Sequence, residues 1–222
     1  MIKIKDLCFS YNNSKPYIID NLSLNIAKES YVSIIGANGS CKSTLIKLIL
    51  NLLTPQKGSI NLTSKKIGYV PQIVENFNSS FPITVWEMLN AHRNVLKIKD
   101  KESITEALKK VDMLEYKNSL IGNLSGGQKQ KIILARILFR NTKMLLLDEP
   151  TSALDSLSET KIIDNLLKKS IPCILVSHKA NLVKRFDKII VISSGTIMEC
   201  GNHESLIKKQ GIYAEMFAAE KE

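Results

Sequence analysis

The stretch Gly36-Ala37-Asn38-Gly39-Ser40-Cys41-Lys42-Ser43-Thr44 constrains this chain more than any other. A short apolar run, Tyr31 to Ile35, precedes it and reads as a buried strand. A second, Leu45 to Leu53, follows it and reads as a helix. Strand, glycine-containing loop and helix together make a phosphate cradle. Successive backbone N–H groups point at phosphate oxygens, and the helix N-terminus adds its partial positive charge. In such a cradle Lys42 reaches the β- and γ-phosphates of a nucleotide and the Ser43 hydroxyl sits on Mg²⁺. Gly36, Asn38, Gly39, Ser40 and Thr44 complete the loop. One position departs from the pattern G-x-x-x-x-G-K-[ST], which asks for Gly where the chain has Cys41.

With 222 residues the chain is long enough to bury a real core. Apolar content of 44% and charged content of 23% exclude wholesale disorder. No apolar run approaches the ~18 residues of a membrane span, and the stretch from Leu45 to Leu53 carries Lys47. The opening Met1-Ile-Lys-Ile-Lys-Asp6 has no apolar export segment. Cys8, Cys41, Cys173 and Cys200 form no C-x-x-C pair, so a reducing cytosol is the expected compartment. A net charge of +10 reads first as solvated basic faces, then as attraction to an anionic leaflet, and last as nucleic-acid binding.

Alternating apolar residues predict half-buried antiparallel strands over residues 2–9 and around Leu22, Leu24 and Ile26, with residues 12–16 as the turn region. Further strands are expected over Ser59–Leu62 and Lys66–Val70. The texture then turns helical to about residue 140. Thr84-Val-Trp-Glu87 and Ser103-Ile-Thr-Glu106 read as capping boxes, and Ile104, Ala107, Leu108 and Val111 as a helical stripe. A third helix begins at Ser125-Gly-Gly-Gln128. Strands return at Met144–Leu147, Cys173–Ser177, Lys188–Ser193 and Thr196–Cys200, and Ser156-Leu-Ser-Glu159 is expected to cap a helix. Alternating buried strands and helices mean an α/β fold with a mainly parallel sheet. The N-terminal strands form an antiparallel β subdomain, and a helical subdomain is inserted.

Met144-Leu-Leu-Leu-Asp148-Glu149 puts two carboxylates at the C-terminal edge of a buried strand, where ligands of open α/β sheets gather. Asp148 suits the Mg²⁺ shell and Glu149 the polarising of an attacking water. Gly126 and Gly127 cost helix stability but let bare N–H groups approach an anion. His178 follows a strand at the same edge, where a γ-phosphate would lie. Tyr11 reads either as a platform for adenine or as surface packing.

Tyr11, the phosphate loop, Gln72, Leu124-Ser-Gly-Gly-Gln128, Leu-Leu-Leu-Asp148-Glu149-Pro150, Ser152-Ala-Leu-Asp155 and His178 occur in that order. In this the chain resembles the ATP-binding subunits of ATP-binding-cassette (ABC) transporters over essentially its whole length. The resemblance implies a P-loop NTPase fold of the ABC ATPase type in a single domain. Residues 1–72 and 141–222 would form the nucleotide-binding core with its β subdomain, and 73–140 the helical subdomain. It implies ATP and Mg²⁺, and a head-to-tail homodimer that sandwiches ATP between one chain's phosphate loop and the other's Ser125, Gly126, Gly127 and Gln128. Glu149 becomes the general base, with Asp148 and Ser43 holding Mg²⁺ and Lys42 clamping phosphate. Gln72 senses Mg²⁺ and the membrane partner, His178 contacts γ-phosphate, and Asp155 communicates across the dimer. The implied partners are an integral-membrane permease, docked on the helical subdomain, and a substrate-binding protein acting with it. The implied location is cytoplasmic, peripheral on the inner face of the membrane.

Ile67-Gly-Tyr-Val-Pro-Gln72 and Phe81-Pro-Ile-Thr-Val85 are similar to ATPases of zinc and manganese uptake systems. Amino-acid or peptide import, or export, would use the same chemistry. A soluble ABC ATPase of nucleic acid or the ribosome is the rival class, but long heptad insertions are missing between loop and signature, and no nucleic acid is expected as partner. Three readings of Cys41 stand: a variant that weakens nucleotide binding, one tolerated through a small backbone shift, or a redox-sensitive thiol with its pKa lowered by the helix end and Lys42. In the signature helix, Lys131 stands where the family often has Arg.

Overall fold

The computed structural model describes residues 2–28, 30–64, 66–71, 82–138, 142–151, 154, 156–167 and 171–219. Gln72 and Asp155 therefore lie outside the described residues. In chain order the first elements are β1 (Ile2–Phe9), β2 (Ile19–Ile26), β3 (Tyr31–Ile35), α1 (Lys42–Ile49), β4 (Lys57–Leu62) and β5 (Ile67–Val70). Helices α2 (Val85–Val95), α3 (Glu102–Lys110) and α4 (Gly126–Leu138) follow, then β6 (Met144–Asp148) and α5 (Ser156–Leu167). The chain closes through β7 (Cys173–Val176), α6 (Ala180–Val183), β8 (Lys188–Ser193), β9 (Thr196–Gly201), α7 (His203–Lys209) and α8 (Ile212–Ala219). Two compact units emerge. One comprises Met1–Ile67, Met144–Glu149 and Ile171–Glu222, the other Gly68–Lys143 and Pro150–Ser170.

The first unit holds an antiparallel sheet in the order β2-β1-β4. Ile2, Ile4 and Leu7 of β1 and Leu22, Leu24 and Ile26 of β2 are buried, while Lys3, Lys5 and Asn25 stay outside, as period-two alternation requires. The pairing register slips after Ile4 and after Lys5, and Asp6 stands there at a φ of 47°. Gly58 of β4 faces this bulge at a φ of 84°, and a Cβ on it would fall 2.4 Å from the Lys5 carbonyl. Only glycine fits there.

The other strands of this unit run β6-β7-β3-β8-β9. β7 pairs in parallel with β6 and β3, β3 in parallel with β8, and β9 antiparallel to β8. β6 and β7 are buried at every position, which their unbroken apolar runs anticipate for strands covered on both faces. Beside them Ile35, Val183, Ile189, Val191, Leu206 and Tyr213 pack into one cluster that fixes the C-terminal helices.

The second unit is mostly helical. Thr84 accepts the Glu87 N–H and Glu87 returns to the Thr84 N–H, a complete capping box for α2. Ile104, Ala107, Leu108 and Val111 form the buried face of α3. The expected box at Ser103–Glu106 is not built. Helix α3 starts at Glu102, two residues earlier than that box requires, so the Ser103 hydroxyl donates to the Asp100 carbonyl instead, and Asp100 accepts the Glu102 N–H. Helix α5 begins at Ser156, and Glu159 in its first turn is buried and accepts the hydroxyl of Thr151. Helix α1 also begins inside the loop at Lys42 and ends at Ile49, short of the Leu45–Leu53 run.

Candidate active site

Three parallel strands deliver the candidate groups of the first unit to one edge. β6, β7 and β3 are neighbours, and Asp148, Val176 and Ile34 stand in register near their C-terminal ends. Asp148 and Glu149 end β6, Ser177 and His178 follow β7, and the phosphate loop follows β3. The backbone ties the exits together: Glu149 N–H donates to the Val176 carbonyl at 3.0 Å, and Ser177 N–H to the Ile34 carbonyl at 3.1 Å.

The loop leaves β3 at Gly36, where a Cβ would fall 2.2 Å from the Ile192 carbonyl and 2.7 Å from Ser40 Oγ. It turns at Gly39, at a φ of 81° with open space where a side chain would stand. Helix α1 opens with no side-chain cap and no acid in its first turn, so its leading N–H groups remain available to an anion. Lys42 is buried, and its ammonium donates to the carbonyls of Gly36 and Ala37, both at 2.8 Å, and to Ser40 Oγ at 3.4 Å. Burial lowers its pKa, against the pull of Glu149 and Asp148. A buried cation beside an uncapped helix end is a site for negative charge.

Ser43 Oγ donates to Asp148 Oδ1 at 3.3 Å. Hydroxyl and carboxylate side by side form the oxygen-only donor set that Mg²⁺ takes along with phosphates and water, so these residues fit that ion. Burial raises the Asp148 pKa, and the Ser43 bond opposes the rise. Glu149 stands at a φ of 46°, and Oε1 lies 3.3 Å from His178 Nδ1, with Glu149 largely covered and His178 about half exposed. Tyr11 is exposed, and its hydroxyl lies 3.1 Å from Thr44 Oγ1, which joins the aromatic ring to the start of α1. Asn38 and Gly39 lie exposed on the loop crest, whereas Ser40 is buried beneath it.

Cys41 occupies the N-cap of α1 at a φ of 75° and ψ of 18°. This is the left-handed region the sequence pattern reserves for glycine. Its Sγ donates to the Ile18 carbonyl at 3.3 Å, and burial pushes its pKa up against the opposing Lys42 charge. The environment therefore does not activate the thiol, contrary to the redox-sensitive reading, because desolvation outweighs the neighbouring cation.

In the second unit Ser125 and Gln128 exchange backbone bonds, Ser125 N–H to Gln128 Oε1 at 2.9 Å and Gln128 N–H to Ser125 Oγ at 3.2 Å. That is the reciprocal box expected from the sequence. Among the described residues nothing lies within 4 Å of a would-be Cβ on Gly126, so the backbone is bare at that position. Sequence reasoning took Glu159 only as part of a helix cap and did not single out Thr151, whose hydroxyl the buried Glu159 accepts. Their only signal was a Glu at the start of a helix, which a cap explains equally well.

Taken together, the first unit is a nucleotide-phosphate site on an α/β sheet. A profile of the ABC transporter family matches residues 19–152. The high-affinity zinc uptake system ATP-binding protein ZnuC of Bacillus subtilis is 37% identical over 88% of this chain and 92% of its own. The zinc uptake system ATP-binding protein ZurA of Listeria monocytogenes is 37% identical over 88% of this chain and 84% of its own. Among solved structures, a bacterial Atm1-family ABC exporter with ATP bound superposes with a TM-score of 0.85 at 26% identity over 99% of this chain. The chain spans 41% of that exporter's length. The chain belongs to the ABC transporter family. It binds ATP, and its activity is ATP hydrolysis.

Proposed function

We propose that this chain is the ATP-hydrolysing subunit that powers uptake of a divalent metal ion, zinc or manganese, through a separate membrane-spanning partner. The carrying observation is the convergence of Lys42, Ser43, Asp148, Glu149 and His178 on one sheet edge. Glu149 is the general base: its largely covered carboxylate takes the proton of the attacking water, and His178 beside it orients the carboxylate and contacts γ-phosphate. Lys42 exchanges its loop carbonyls for phosphate oxygens, which relieves the cost of its buried charge. Ser43 and Asp148 would hold Mg²⁺, with Gln72, and that ion neutralises phosphate charge when bound. Tyr11 stacks on adenine, and the loop from Gly36 through Thr44, Cys41 included, wraps the phosphates.

In the ATP-bound state two copies pair head to tail. Ser125 to Gln128 of one then cover the nucleotide of the other, and Asp155 communicates across the pair. Residues 1–72 and 141–222 serve as the nucleotide-binding core and 73–140 as the helical subdomain on which the permease docks. A substrate-binding protein delivers cargo to the permease, and the chain works at the inner face of the cell membrane. Among the described residues no helix is long and apolar enough to cross that membrane. The metal cargo is supported by the names of the zinc-system relatives and by their near full-length match.

Metal content of cells lacking this chain tests the cargo: zinc or manganese falls, and re-expression restores it. Unchanged contents of both would remove the metal assignment while leaving ATP hydrolysis, assayed on purified protein, untouched.

A further inference from the structure

At one end of the antiparallel sheet of the first unit, a side chain takes over from a strand. The β1–β4 ladder closes with Lys57 opposite Cys8 and with Gln56 N–H donating to the Cys8 carbonyl at 3.0 Å. Beyond Phe9 the chain of β1 continues into Ser10, which is buried, so its backbone groups need partners inside the protein. The Gln56 amide supplies both. Ser10 N–H donates to Gln56 Oε1 at 2.8 Å, and Gln56 Nε2 donates to the Ser10 carbonyl at 2.8 Å, the two-way exchange that a neighbouring strand would make. The same amide nitrogen, which carries two N–H groups, also donates to Asn13 Oδ1 at 2.7 Å. Gln56 therefore grips the chain on both sides of Tyr11. Ser10 closes the same turn onto Ser14: its Oγ donates to the Ser14 carbonyl at 2.6 Å and accepts the Ser14 N–H at 3.0 Å. Within this clamp the Tyr11 ring is 59% exposed and stands edge-on to Phe9, 5.1 Å between centroids, with its hydroxyl 3.1 Å from Thr44 Oγ1.

We infer that Gln56 is a positioning residue for nucleotide binding: acting through Ser10 and Asn13, it holds the Tyr11 ring in place to stack on the base of ATP. The inference rests on Tyr11 being the adenine platform. Stacking on a base adds full binding strength only when the aromatic ring is already in place, because ordering a loop on binding subtracts from affinity. An exposed ring gains the fold little by being rigidly seated, whereas a platform gains affinity from it. The Thr44 contact fixes the other coordinate. Thr44 belongs to α1, the helix that opens at the phosphate loop, so the ring is held at a set place relative to the groups that take the phosphates. The Gln56 amide is committed to Ser10 and Asn13, so its action on the nucleotide passes through Tyr11.

The test is binding of ATP, and of inorganic tripolyphosphate, which carries the charge but no base, to the full chain with Gln56→Met, Gln56→Ala or Tyr11→Ala, and the melting temperature of each. Gln56→Met keeps the length of the side chain and removes its hydrogen bonds. We expect Tyr11→Ala to weaken ATP binding on the order of tenfold and each Gln56 variant about fivefold, with tripolyphosphate affinity within about twofold of the parent throughout. In the double variant Gln56→Met/Tyr11→Ala, ATP binds no more weakly than in Tyr11→Ala alone, because the clamp has no ring left to position. Unchanged ATP affinity in Gln56→Met would overturn the inference. So would an equal loss toward tripolyphosphate, which a general loosening of the fold produces, or additive losses in the double variant. Tyr11→Ala separates the two levels: if it binds ATP like the parent, the platform reading falls and the positioning role with it. If it binds ATP weakly and Gln56→Met does not, only the positioning role falls.

Discussion

Cys41 and Asp148 each carry a local cost that the ligand-free fold tolerates. A non-glycine residue in the left-handed region costs about 1–2 kcal/mol, and glycine returns part of that through a looser unfolded chain. Cys41→Gly should therefore raise stability by about 0.5–1 kcal/mol, read as a higher urea midpoint at constant slope, with no loss of ATP binding. Because burial raises the Cys41 pKa, its alkylation near pH 8 should run slower than that of a free thiol and keep rising at higher pH. Burial also raises the Asp148 pKa. The folded chain then holds that proton more tightly than the unfolded one, so stability falls as pH rises through a window opening near the unfolded value of about 3.9. Asp148→Asn should raise the melting temperature of the nucleotide-free chain at pH 7. The gain should shrink toward nothing below about pH 4, while hydrolysis is lost.

At the scale of elements, two helices begin with the same device for different ends. Thr84 caps α2 and Ser125 caps α4, each in a reciprocal box. Replacing either by alanine should cost about 1 kcal/mol of stability, measured by chemical unfolding. Thr84→Ala should leave ATP hydrolysis unchanged. Ser125→Ala should in addition lower hydrolysis, because its backbone and hydroxyl stand beside the open space at Gly126. Equal hydrolysis in the two variants would reduce Ser125 to an ordinary cap. One further cap expected from the sequence, at Ser103, is not built, because Ser-x-x-Glu specifies possible partners but not where the helix begins, and the Ser103 hydroxyl bonds the Asp100 carbonyl instead.

For the whole molecule, the proposed cycle predicts that Glu149→Gln with ATP and Mg²⁺ elutes as a dimer and with ADP as a monomer in gel filtration. A monomer in both states would count against the sandwich. Much of this protein could be read from the sequence alone. The apolar runs of β3, β6 and β7, the alternation in β1 and β2 and the stripe of α3 each follow from local periodicity, which depends only on neighbours in sequence. The phosphate loop and the Asp148-Glu149 pair were legible because each is one contiguous stretch whose chemistry needs particular residue types. What only the tertiary structure decided is which stretches meet. The sheet order that sets β7 between β6 and β3, the bond from Ser43 to Asp148, the tie of Cys41 to Ile18 and the pair of Thr151 with Glu159 join residues that local pattern leaves independent. Burial, and with it the direction of each pKa shift, belongs to the same category, because desolvation is set by everything packed around a group and not by its neighbours along the chain.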